Sequence, residues 1–207
     1  MLNSYDTAIF WWINSHHCPA CDWIMWVASQ GWSHAIVIVF ALITIYIKKG
    51  WNRWWLLLLG IGLCYLLGDR ISVMAFKDVV MRLRPCHALE GVRMFHTHCG
   101  GQYGFVSSHA ANCFSVAVFL SLVATGGRRR KADHQKKEYA ILPYLMIMWA
   151  VLVGYSRPYL GKHYPGDVVC GAILGVAIGA LVYFIYCKVL SWIQRRTSSN
   201  VSSNDVE

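Results

Sequence analysis

The chain has 207 residues, 57% of them hydrophobic and only 14% charged, with a mean hydropathy of +0.41 and a formal net charge of +9. This composition excludes an extended polar chain and leaves an unusually apolar soluble domain or a membrane protein. Five uncharged runs, at 33–47, 54–68, 110–125, 139–156 and 168–187, favour the membrane, because a helix needs about 17–25 apolar residues to cross the hydrocarbon. The reading is an all-α, polytopic membrane bundle of about five spanning helices, the first of them short.

In chain order, residues 5–32 are apolar and carry Trp11, Trp12, Trp23, Trp26 and Trp32, but "NSHHCP" interrupts them. One or two helices lying in the membrane interface are expected there, giving an N-terminal unit over 1–32. No Lys or Arg precedes Lys48, so this segment lacks the basic start of a cleaved signal and is expected to stay attached, outside. The spans then occupy a domain over 33–190, and "TSSNVSSNDVE" closes a polar, disordered cytoplasmic tail over 191–207.

Twelve of the nineteen Lys and Arg residues fall in three clusters: Lys48, Lys49 and Arg53; Arg128 to Lys131 with Lys136 and Lys137; and Lys188, Arg195 and Arg196. They lie after spans one, three and five, the alternation that marks cytoplasmic loops. The excess charge is thus topological, and a nucleic-acid partner is not expected.

Cys64, Cys113, Cys170 and Cys187 lie within apolar runs and read as small hydrophobes. Cys86 and Cys99 lie in the loop after span two, on the side where disulfides persist, and are expected to be bridged. His87, His96 and His98 share that loop, yet their spacing matches no metal-ligand pattern, so no metal is expected. "CPAC" at 18–21 lacks a thioredoxin-like surround and reads as two interfacial cysteines. "GGQYG" at 100–104 reads as a turn, and Gly171, Gly175 and Gly179, four apart in span five, as a helix-packing stripe.

Seven basic residues stay unexplained by topology: Arg70, Lys77, Arg82, Arg84, Arg93, Arg157 and Lys162. Ionisable groups in or beside spans are costly and therefore functional candidates. Asp69 with Arg70 in span two reads as a structural pair or as support for Lys77, seven or eight residues on. Lys77 and Arg84 follow span two at its outer end, Ser107, Ser108 and His109 open span three, Arg157 closes span four, and His163 and Asp167 precede span five. Cations, two imidazoles and one carboxylate thus converge at one depth on the outer surface. Guanidinium and ammonium groups, with the N-terminus of span three, suit a phosphoryl group. An imidazole steadied by a carboxylate four residues away suits attack on phosphorus, and a second imidazole suits protonation of the leaving oxygen.

These residues resemble the signature of the type-2 phosphatidic acid phosphatase superfamily, K-x6-R-P, P-S-G-H and S-R-x5-H-x3-D. "KDVVMRLRP" supplies Lys77, Arg84 and Pro85; "SRPYLGKHYPGD" supplies Ser156, Arg157, His163 and Asp167. "VSSH" departs from the second part, with Val106 for proline and Ser108 for glycine, and keeps Ser107 and His109. A serine at 108 still offers its backbone N–H to phosphate if its φ is ordinary.

The resemblance implies that Lys77, Arg84, Ser107, Ser108 and Arg157 bind the phosphoryl group. It implies His163 as nucleophile, Asp167 as its orienting partner and His109 as acid and then base. It implies no cofactor. The expected activity is hydrolysis of a membrane lipid phosphate or diphosphate through a phosphohistidine at the outer face of a bacterial inner membrane. Undecaprenyl diphosphate and lipid A phosphate are the preferred substrates, ahead of phosphatidylglycerol phosphate, phosphatidate or a phosphotransfer reaction. A transporter is the non-enzyme alternative, but the paired inverted halves and broken mid-membrane helices of that class are missing.

Overall fold

The computed structural model describes residues 2–49, 54–126 and 141–204. Arg53 and the basic loop from Arg128 to Lys137 lie outside the described residues. The elements are α1 (Leu2–Ser15), α2 (Pro19–Ala28), α3 (Gly31–Lys49), α4 (Trp55–Ile71), a π-helical turn (Ser72–Lys77), α5 (Asp78–Val80), α6 (Pro85–Ala88), α7 (Ser108–Thr125), α8 (Ile141–Tyr159) and α9 (Pro165–Asn204). Among the described residues the only β pairing is an isolated bridge between Leu83 and Tyr103.

Among the described residues, four helical stretches are long and apolar enough to cross a membrane: Trp55–Val80, Ser108–Thr125, Ile141–Tyr159 and Pro165–Thr197. A fifth span forms if α2 and α3, bent by 67° at their junction, are taken together. The all-α membrane bundle is therefore as expected. Helix α7 runs through its centre, with Ala110, Ala111, Val116, Ala117, Phe119 and Leu120 fully buried. The outward faces of α3, α4, α8 and α9 carry Phe40, Leu59, Met148 and Phe184, which remain exposed because lipid, not water, is their solvent.

The glycine stripe explains how α9 reaches α7. A Cβ at Gly171, Gly175 or Gly179 would run into the carbonyl oxygens of Ser107, Ala111 and Ser115, one turn of α7 after another. Only glycine permits that approach, which is the packing role its four-residue spacing predicts. Helix α9 continues to Asn204, well past the boundary at 190 read from composition. No Gly or Pro follows Gly179, so nothing in the backbone stops a helix already nucleated in the bundle.

Residues 2–28 form two helices, as expected, and they cap the end of the bundle where α8 ends and α9 begins. Arg93 of the outer loop binds Asp22 of α2 through both Nη atoms, at 2.8 and 2.6 Å. Tyr159, ending α8, donates to the same carboxylate at 2.7 Å. Asn14 of α1 donates to the carbonyls of Arg93 and Tyr159 and accepts from the Arg93 amide. Trp23 and Trp26 pack around Phe95 and His96.

Cys86 and Cys99 are bridged, as expected, with Cα atoms 5.9 Å apart. Their sulfurs are bonded to each other, so His87 beside them has no thiolate to share a metal with. Cys18 and Cys21 are also bridged, which corrects the reading of "CPAC" as two separate cysteines. Cys18 is the N-cap of α2, and that helical start brings its Cα within 5.1 Å of Cys21.

Candidate active site

Each signature segment reaches the same end of the bundle by its own local device. Helix α4 does not stop at Ile71 but widens into the π-helical turn that ends at Lys77. Such turns recur at functional sites because the extra residue re-aims side chains. Here Lys77 Nζ donates to Ser108 Oγ at 2.7 Å, and Ser72 Oγ lies 2.6 Å from the same hydroxyl. Asp69 and Arg70 remain exposed on α4, and Lys77 finds its hydrogen bond on Ser108 rather than on Asp69.

Met81, with φ 50°, ends α5 and turns the chain into an extended stretch. The bridge at Leu83, with Arg84 N–H to Gln102 C=O and Gly104 N–H to Arg82 C=O, pins it to the end of the outer loop. Two residues apart in extended chain, Arg82 and Arg84 point the same way. Arg84 reaches His163 and Arg82 reaches Asp167. Gly104 backs this arrangement; an added Cβ would lie 3.1 Å from Asp167 Oδ2 and 3.2 Å from the Arg84 side chain.

The third segment turns at Gly161, whose φ of 76° and close approach to Val92 and the Arg93 carbonyl both require glycine. That turn follows the last turn of α8, which carries Arg157, and precedes His163 and Asp167 at the start of α9. Arg157 is 2% exposed, and its Nη1 donates to Ser29 Oγ at 2.7 Å.

His163 is 1% exposed. Its Nε2 lies 3.1 Å from Arg84 Nη1. A guanidinium only donates, so Nε2 must be the unprotonated acceptor and the proton must sit on Nδ1. That tautomer leaves a lone pair on Nε2, on the side of Arg84, as a nucleophile needs. Nδ1 faces Asp167 Oδ2 at 3.5 Å, an ion-pair distance that is long for a hydrogen bond. Burial, then Arg84, Arg157 and Lys77, holds the His163 imidazole well below its ordinary range, so the ring is neutral at physiological pH.

The Asp167 carboxylate is itself held. Arg82 Nη1 binds Oδ1 at 2.8 Å and the Tyr164 amide donates to Oδ2 at 3.0 Å. Arg82 Nη2 binds Asp6 of α1 at 2.7 Å, its guanidinium lies 4.0 Å over the Tyr164 ring, and Asp6 accepts from the Gly166 amide at 2.8 Å. The chain Asp6–Arg82–Asp167–His163 therefore ties the N-terminal helix to the His163 imidazole.

At the start of α7, Ser107 is fully buried; its hydroxyl accepts from the Ala110 amide at 3.4 Å and its amide donates to the Asp167 carbonyl at 2.9 Å. Its side chain thus caps the helix instead of facing an open site. Ser108 does not have positive φ, so its amide is free to act as the missing glycine's would, and its hydroxyl gains the contact to Lys77. His109 follows on the same turn, its ring exposed to a cavity and 6.3 Å from the ring of His34. Lys162 adds a further half-buried cation, pushed down to about 8 by burial and by Arg157 and Arg84.

Arg82, Asp6, Ser29 and Ser72 were not assigned roles from sequence. Arg82 stood among the unexplained cations, and its alternation with Arg84 was the available signal. Asp6 and Ser29 gave none, because their partners lie 160 and 128 residues away.

Comparison with known proteins identifies relatives of this chain. A family profile described as the PAP2 superfamily matches residues 53–190. A lipid A 4'-phosphatase of Bacteroides thetaiotaomicron is 31% identical over 201 residues, covering 95% of this chain and 83% of that protein. A lipid A 4'-phosphatase of Porphyromonas gingivalis is 29% identical over 191 residues, covering 89% and 75%. Among solved structures, a transmembrane PAP2-type phosphatidylglycerolphosphate phosphatase from Bacillus subtilis shares the fold with a TM-score of 0.66, 22% identity and coverage of 91% and 87%. Aquifex aeolicus LpxE shares it at 0.56, with 22% identity and coverage of 85% and 93%. With its helical spans, its matched signature and relatives aligned along most of its length, the chain belongs to the PAP2 superfamily as a multi-pass membrane phosphatase.

Proposed function

We propose that the protein removes a phosphate from a membrane lipid at the outer face of an inner membrane, by way of a phosphohistidine on His163. The observation that carries this reading is the neutral His163 imidazole, with its Nε2 lone pair turned to Arg84 at 3.1 Å and Arg157 and Lys77 nearby. In the first step Nε2 attacks phosphorus, the P–O bond to the lipid breaks, and His109 protonates the departing oxygen. Asp167 stabilises the imidazolium-like phosphohistidine, and Arg84, Arg157, Lys77 and the amide of Ser108 take up charge on the phosphoryl oxygens. In the second step His109 accepts a proton from water as the water oxygen attacks phosphorus, releasing phosphate and restoring His163.

Lipid A phosphate is the preferred substrate, favoured by the two lipid A 4'-phosphatases that align with most of the chain. Undecaprenyl diphosphate is the second. The outward orientation is supported by the sequence order of the basic clusters, which come after spans one, three and five while the signature residues come at the alternate span ends; the positive-inside rule assigns such clusters to the cytoplasm. The test is rapid quenching of purified enzyme with lipid A radiolabelled in its phosphate. Acid-labile, base-stable label on the wild-type protein and none on His163→Gln is expected; phosphate release without protein labelling would point to direct attack by water. Vanadate, a mimic of five-coordinate phosphorus, should inhibit below substrate concentrations.

A further inference from the structure

Two guanidiniums at this end of the bundle are held in opposite ways. Arg82 is bound by the carboxylates of Asp6 and Asp167. Arg157 is 2% exposed, yet among the described residues no carboxylate lies within ion-pair distance of it. Its Nη1 donates to Ser29 Oγ at 2.7 Å, while its Nε is buried without a hydrogen-bond partner, so the Ser29 contact alone fixes how the guanidinium is turned. A buried charge without a counter-ion is costly. A hydroxyl can direct that charge without cancelling it, which a carboxylate cannot do.

The segment that carries Ser29 is shaped for this contact. Helices α2 and α3 meet at a bend of 67°, and Ser29 stands at the bend as the C-cap of α2. Backbone bonds hold the bend, from the Ser29 amide to the Met25 and Trp26 carbonyls and from the Gln30 amide to the Val27 carbonyl. The cap therefore does not use the Ser29 hydroxyl, which is turned to Arg157 instead. Seven residues earlier, about 10 Å along the helix, the buried Asp22 carboxylate accepts from the Tyr159 hydroxyl, two residues after Arg157. Helix α2 thus holds the last turn of α8 at two points. Ser29 lies outside residues 53–190, the stretch that the family profile matches.

We infer that Ser29 is a positioning residue for anion binding: its hydroxyl sets the Arg157 guanidinium for the phosphoryl group and, being neutral, leaves the whole cationic charge to that anion. The inference rests on the phosphatase reading, in which Arg157 takes up charge on the phosphoryl oxygens, and adds the group that prepares Arg157 for it. An arginine ordered before the anion arrives does not lose that side-chain freedom on binding. The gain is expected for any tetrahedral or five-coordinate oxyanion in the site, so inorganic phosphate and vanadate both report it.

The test measures the dissociation constants of inorganic phosphate and vanadate by calorimetry on the full-length protein in detergent. Ser29→Ala should weaken both about 10-fold, the usual loss of a hydrogen bond to a charged group, and leave the unliganded unfolding midpoint in place because the cap is made by backbone. Ser29→Asp, which gives Arg157 a carboxylate, should weaken both further, by about 100-fold. In an Arg157→Gln background, adding Ser29→Ala should change nothing more, since the two residues act as one unit. Unchanged anion binding in Ser29→Ala would overturn the inference, as would a loss that persists at full size in the Arg157→Gln background, or tighter binding by Ser29→Asp than by Ser29→Ala. If Ser29→Ala lowers the midpoint, Ser29→Thr decides: affinity within about 3-fold of wild type supports positioning by the hydroxyl, and a loss as large as that of alanine overturns it. Weakening by Arg157→Gln but not by Ser29→Ala would sink this inference alone. Wild-type affinity in Arg157→Gln, or no binding of either anion by wild type, would overturn the phosphate-binding role of Arg157 and this inference with it.

Discussion

Along the length of α7 the bundle is held by glycine contacts and apolar packing, whereas the end that carries the signature residues is held by charge. Gly175 and Gly179 bring α9 against the carbonyls of Ala111 and Ser115, and Phe119, Leu120, Met146 and Ile178 close the core around them. At the signature end, Arg82–Asp6, Arg82–Asp167 and Arg93–Asp22 link segments more than 70 residues apart in the chain. The apolar region fixes where the helices stand, and the polar region fixes where a few atoms point. Since the two depend on different interactions, damage to one should leave the other largely intact.

The most direct attempt to break this separation is His163→Ala. Loss of the proposed nucleophile should cost on the order of 10⁴-fold or more in phosphate release, while the detergent-solubilised protein keeps its thermal unfolding midpoint. A matching fall in that midpoint would mean that site and scaffold are one unit. Gly175→Leu should do the reverse. The side chain must enter the Ala111 carbonyl and the Phe114 side chain, destabilising the fold by about 3 kcal/mol. Yield of monodisperse protein should drop, while activity per folded molecule stays within a few-fold.

Arg82→Met sharpens the comparison within the outer end. It leaves the buried Asp167 carboxylate without its guanidinium, so kcat should fall roughly 30-fold with little change in KM, as for a positioning residue. An effect on KM alone would place Arg82 on the substrate instead. Arg82→Lys should recover part of kcat.

The pH profile tests the electrostatics. Lys162, lowered to about 8, is charged below that pH and neutral above it. Affinity for the phosphate anion should therefore weaken as pH rises through about 8, and Lys162→Arg should remove that alkaline limb. His163, held well below its ordinary value of 6.5, stays neutral as pH falls through 6.5, so the free enzyme should show no acid limb there. Asp6→Asn is expected to be the mildest change. The amide still accepts from Gly166 but loses its ion pair with Arg82, and a drop of about 2- to 5-fold in kcat would show how far the N-terminal helix contributes.

The positions of Lys77, Arg84, His109, Arg157, His163 and Asp167 were legible because each is tied by short spacing to the end of an apolar run. A helix end at the membrane surface is a local property, and residues bound to it inherit its depth. Ser107 and Ser108 were legible as positions but not in function, because whether a hydroxyl caps a helix or holds Lys77 depends on the π-helical turn beneath it. The Cys86–Cys99 bridge was expected from the side assigned to its loop; the Cys18–Cys21 bridge was not expected, because it depends on α2 starting at Pro19.

By itself the sequence determined the membrane setting, the near-complete set of spans, their order and the family signature that gathers at one end of the bundle, since hydropathy and motif spacing act over a few residues. Only the tertiary structure decided which groups steady which. Asp6 on Arg82, Ser29 on Arg157, and His34 beside His109 are contacts between segments remote in the chain, and their energy depends on distances that no local pattern encodes.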